Sequence, residues 1–152
     1  MLVPGLEDAV LRAAGGEAAL AVQRYGEALA ASARAAAPVG APRPGQPHLR
    51  EQIAWVPTGA ARGELRLPVR ALYTDSGTRP HVIRARTPAG LHFYSARQGR
   101  WVRTRQVRHP GYAGTHWFRR AIPAAAGAVD DPVLAAALVA LAQQAATAAG
   151  FL

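Results

Sequence analysis

The apolar residues of this chain follow two different periods, and the order of those periods limits the folds open to it. Leu6, Val10, Val22, Tyr25, Leu29 and Ala33 recur near helical spacing, with Glu17, Arg24, Glu27 and Arg34 on other faces, so residues 6–36 are predicted helical. Gly15 and Gly16 mark where that helix is expected to fray or break. From Ile53 the period becomes two. In "ELRLPVR", Leu65, Leu67 and Val69 share one strand face and Glu64, Arg66 and Arg70 the other, and Pro68 points to an edge position. Further strands are predicted at 81–85, 91–95 and 101–107, separated by "TPAG" and "RQG" turns, as an antiparallel meander.

Helical spacing then returns. "GTHWFRRAI" begins a helix with Thr115 as its expected N-cap, pairing Trp117 with Ala121 and Phe118 with Ile122. Asp131-Pro132 starts a last helix, with Asp at the cap, Pro at its first position and Leu134, Leu138 and Leu141 in one stripe. The expected fold is α+β: an N-terminal helix packed on an antiparallel sheet of about four or five strands, followed by C-terminal helices.

The chain of 152 residues is read as a single domain. A proline- and glycine-rich connector at 37–48, "APVGAPRPGQPH", is long for a compact domain, but the first helix has too few large apolar residues to fold without the rest of the chain. Without cysteine there is no disulfide framework, no thiolate zinc site and no thiol nucleophile. "MLVPGLEDAV" lacks the basic and apolar regions of a signal peptide, and the longest apolar run is too short to span a bilayer. A soluble protein made in the cytoplasm, with no membrane partner, is the expectation.

Charge is distributed unevenly. Every basic residue is arginine, and Leu65 to Val129 holds twelve arginines against the single acid Asp75, while the rest of the chain holds six arginines against eight acids. A basic middle between nearly neutral ends implies a polyanionic partner, either nucleic acid or the acidic face of another protein.

The same region contains His81, His92, His109 and His116, separated by 11, 17 and 7 residues. None of these spacings is that of a metal motif, Asp75 is the only acid nearby, and the surrounding arginines oppose a divalent cation, so no metal or cofactor is expected. Ser76, Thr78 and Ser95 lie outside any nucleophile elbow and the sheet region has no paired carboxylates, so no catalytic residues are expected either. Two turns are more informative. "SGTRPH" places Gly77 and Thr78 before Pro80, whose ring forces an extended approach to the next strand. "HPG" puts Pro110 and Gly111 at the central positions of a type II turn, with His109 ending the strand and its ring either bonding nearby backbone or filling the corner beneath the turn. Arg103 and Arg105 are predicted to share a face with Trp101 and Val107, and Arg84 with Arg86 in the neighbouring segment. Solvated arginines are the ordinary reading; an arginine-rich protein interface is the preferred functional one, since guanidinium suits carboxylate partners.

The order of these segments resembles a known family. "AAAPVG" after the first helix, "GTRPHVIRA", "LHF", a basic strand, "VRHPG" and an aromatic-led helix are similar to the tail-completion, or minor tail component, family of long-tailed bacteriophages, over about Ala35 to Ile122. The chain departs from that pattern where "APRPGQPHLREQI" adds prolines and where "ALYTDSGT", in place of an acidic strand, keeps Tyr73 and Asp75 but adds Ser76. The resemblance implies a non-enzymatic virion protein of the neck or tail end, forming a sixfold ring with copies of itself. Its implied partners are the neighbouring neck, tail-terminator and tail-tube proteins, with weak contact to DNA in the channel and assembly in the host cytoplasm. Arg84, Arg86, Trp101, Arg103 and Arg105 are the interface candidates, and the connector is expected to order on assembly. The alternative is a basic nucleic-acid-binding module using the arginine-rich sheet with Trp101, Phe93 and Tyr94.

Overall fold

The computed structural model describes residues 6–39 and 47–151, with side chains described from Gly16 onward. The connector at 37–48 falls mainly outside the described residues. Helix α1 (Leu6–Ala36) continues through Gly15-Gly16 without a break. Its buried stripe, Ala18, Tyr25, Leu29 and Ala33, follows the helical spacing of the sequence.

Two compact units divide the chain: the first contains the residues up to Ser76 and from Thr115 onward, the second Gly77–Gly114. In the first, α1 packs on a hairpin of β1 (Ala54–Gly59) and β2 (Arg62–Arg66), with a 3-10 turn (Arg50–Gln52) before it. The Trp55 indole fixes that packing. A Cβ on either Gly26 of α1 or Gly63 of β2 would run into the ring, so the two glycines form the slot it occupies. Its Nε1 donates to Gln23 Oε1 at 2.8 Å, and Gln23 Nε2 donates in turn to the carbonyls of Gly59 and Ala60 at 2.9 and 3.0 Å. One side chain on α1 thus holds both the indole and the hairpin turn.

The strand expected to run through Val69 stops at Arg66. Pro68 offers no N–H to continue the ladder, and its carbonyl instead accepts the Ala71 amide at 2.8 Å. Val69 opens helix α2 (Val69–Ser76), which buries Ala71 and Asp75, one turn apart, and leaves Val69 exposed. The chain leaves this unit after Ser76 and returns at Thr115, where helix α3 (Trp117–Ala124) buries Trp117, Phe118, Ala121 and Ile122 against α1. The N-cap of α3 is His116, one residue later than expected. It has a left-handed backbone (φ 49°) and no capping bond from its own side chain; Thr115 donates its hydroxyl to the Thr74 carbonyl instead. Helix α4 (Pro132–Ala148) starts as its sequence predicts: Asp131 Oδ1 accepts the amides of Val133 and Leu134 at 2.8 and 3.1 Å.

The second unit is all β. Strand β3 (His81–Arg84) pairs with β6 (Gln106–His109), and β4 (Leu91–Ser95) pairs with β5 (Arg100–Thr104). The fold is therefore α+β with an N-terminal helix, but the described strands form three two-stranded antiparallel ladders rather than one sheet of four or five. The meander becomes two nested hairpins. The strand predicted over 101–107 breaks at Arg105: the Thr104 hydroxyl donates to the Gln106 carbonyl at 2.9 Å, turning the chain there, and the Arg105 carbonyl accepts the Ala85 amide at 2.9 Å. Residues 85–90 on the other side have no ladder partners, so β4 resumes pairing only with β5.

Candidate interaction surface

The base of the second unit is a backbone junction. Thr78 and Tyr112 exchange two amide-to-carbonyl bonds of 2.8 and 2.9 Å, with Gly77 (φ 82°) before one and Gly111 (φ 89°) before the other. A Cβ at Gly77 would collide with the Tyr112 carbonyl, and one at Gly111 would lie 2.7 Å from the Thr78 oxygen, so both positions need glycine for conformation and for space. Pro110 precedes Gly111 in the type II manner.

His81 and His109 are directly opposed across β3 and β6, with stacked rings 5.0 Å apart. His109 Nδ1 accepts the Gly111 amide at 3.1 Å, so that nitrogen carries no proton in this arrangement. His81 Nδ1 faces the Arg79 carbonyl at 2.8 Å and must be the donor there. Both rings serve the turn and the ladder end. Among the described residues no cluster of His, Asp or Glu converges to hold a metal ion, and no helix is long and apolar enough to cross a membrane.

Beyond the junction the pleat sorts side chains onto two faces. In β4–β5, Phe93 opposes Val102 on one face, and Tyr94 opposes Trp101 on the other. Ile83, Leu91, Phe93, Val107, His109 and Pro110 line a mainly apolar cleft of about 360 Å³, and His92 and Arg108 also contribute to its lining. The opposite face of β4–β5 carries an exposed aromatic strip: the Trp101 ring lies 5.0 Å from His92 and 5.9 Å from Tyr94, edge-on to the latter. Trp101 is 65% exposed and Tyr94 55%. Arg103 stands directly across from His92 on this face.

The sequence candidates are thus partly regrouped. Trp101 and Arg103 share a face, but Arg105 sits at the break between strands and Val107 belongs to β6. Arg84 pairs with Gln106, while Arg86 lies past the end of β3. Phe93 turns away from Trp101 and Tyr94. His92, which sequence reasoning left among scattered histidines, joins the strip; the signal was the "ARQG" loop, which sets the register that brings it beside Trp101.

The electrostatics of this unit are one-sided. Residues 77–114 contain eight arginines and no Asp or Glu. Arg100 bonds the Gln98 side chain at 3.3 Å, and among the described residues none of the eight forms an ion pair. Nor is any residue of this unit buried. The β4–β5 ladder thus presents two chemically different faces, one largely apolar that also carries Arg100 and one aromatic with Arg103, and the unit has no counter-charge of its own.

The chain matches no protein-family model, no curated protein and no solved structure.

Proposed function

We propose that this chain is a non-enzymatic assembly subunit of a long-tailed bacteriophage particle, acting in tail completion at the joint between tail and DNA-filled head. The carrying observation is the second unit. None of its 38 residues is buried and none is an acid, yet three of the segments that resemble the phage family, "GTRPHVIRA", "LHF" and "VRHPG", lie in it. The first and last of these pair with each other through His81 and His109. A β-ribbon that small, with valine, isoleucine, tyrosine and tryptophan exposed, is suited to being covered by neighbouring subunits.

In this reading copies of the chain form a ring, and its layers contact neck, tail-terminator and tail-tube proteins. A closed ring needs two unlike faces on each subunit, and the ribbon supplies two. Arg84, Arg86, Arg103 and Arg105 serve as cations toward carboxylate-bearing neighbours, as guanidinium does at interfaces. The test is charge reversal. Arg103→Glu together with Arg105→Glu, supplied in trans to a particle-producing strain lacking the gene, should fold normally by circular dichroism but fail to restore joined particles. Full restoration would contradict the interface role.

A further inference from the structure

We propose that the β4–β5 hairpin binds single-stranded nucleic acid, with bases stacked on Trp101 and Tyr94 and phosphate held by Arg103. This inference does not depend on the assembly reading. It rests on three observations at one place. Trp101 and Tyr94 are the most exposed of the unit's Trp, Tyr and Phe rings and are contiguous with His92, so they offer a strip of π surface rather than a lone side chain. Arg103 lies on that same face opposite His92 and has no ion-pair partner among the described residues. No Asp or Glu occurs anywhere in residues 77–114 to compete for the cations or repel a phosphate.

The pairing of flat rings with uncompensated guanidinium selects the ligand. A carboxylate-bearing neighbour would satisfy the arginines but would leave the exposed ring faces of Trp101 and Tyr94 without a flat partner. Duplex DNA would satisfy the charge while keeping its bases stacked on one another and out of reach of Trp101. Only an unpaired strand offers phosphates and free base faces together, which is how stacking platforms hold single strands without reading sequence.

The test uses the full chain and a fluorescein-labelled oligothymidylate of about 20 nucleotides, long enough for any such site, followed by anisotropy across a salt series. The expected result is saturable binding that weakens steadily with salt. Trp101→Ala should lower affinity roughly five- to a hundredfold, the range for loss of one stacked base, and leave the salt slope unchanged. Arg103→Gln should reduce that slope by about 0.7, the value for one single-strand phosphate contact, and Trp101→Phe should recover most of the binding. Because Trp101 is exposed, these variants leave the fold intact, which circular dichroism checks. Equal binding of a matched duplex, with Trp101→Ala neutral, would show plain polyanion attraction and overturn the proposal. Absence of binding at low salt would overturn it as well and leave this face to a protein partner.

Discussion

Asp75 Oδ1 accepts the backbone amide of Phe118 at 2.7 Å, capping helix α3 from 43 residues away. The residue in the cap position, His116, is left-handed and contributes no side-chain bond. The Asp75 and Thr74 carbonyls also accept the amides of His116 and Thr115, at 3.0 and 3.2 Å. The end of α2 and the start of α3 are therefore joined at the point where the chain leaves and re-enters the first unit. Asp75 is fully buried, and its second oxygen has no hydrogen-bond partner among the described residues.

Removing this cap should be costly. Asp75→Ala is expected to destabilise the protein by about 1–2 kcal/mol in urea unfolding, the cost of losing a helix cap. Asp75→Asn keeps the Oδ1 acceptor and should lose less. Equal stability of Asp75→Ala and the parent would contradict the capping role.

Two glycines in one helix should respond with opposite sign. Gly16→Ala meets nothing within 4 Å and should gain about 0.5–1 kcal/mol, the ordinary helix preference. Gly26→Ala drives a methyl into Trp55 and should lose stability despite that preference. Thermal melts of the two variants side by side decide the matter.

Tyr25 links α1 to α3: its hydroxyl donates to the Ile122 carbonyl at 3.1 Å, and burial pushes the phenol up from 10.0 to about 12. The fold favours the neutral phenol, so the stability it contributes is complete below pH 10 and is lost as pH rises through about 12. Phenolate absorbance should show one of the four tyrosines ionising only near pH 12, and Tyr25→Phe should remove that step.

At the ribbon base, Gly111→Ala combines a disallowed φ of 89° with a Cβ 2.7 Å from the Thr78 oxygen. It should open the Thr78–Tyr112 bridge and speed amide exchange at both residues, with little change in helical circular dichroism. Unchanged exchange would mean that the junction tolerates a side chain.

Much of the helical part was legible because its signals are local. The stripe of α1 and the Asp131-Pro132 start of α4 each lie within a few residues of what they specify. The cap on α3 was not, since Thr115 is the natural local choice and the acceptor that acts comes from Asp75. Helix α2 was hidden by the alternation of Leu65 and Leu67, which reads on through Val69 unless Pro68 is taken as the stop. Strand β4 and its pairing with the strand that follows were visible, but the partner of β3 was not. A six-residue interruption at 85–90 against a break at Arg105 changes which strand pairs with which, and no period-two pattern records it. The same break separates Arg105 from the face that Trp101 and Arg103 share.

The proposed structural role in joining tail to head is tested most directly by disrupting the gene in its native particle-producing strain and examining the lysate by electron microscopy. DNA-filled heads beside unattached or aberrant tails are expected. Normal, infectious particles would contradict it.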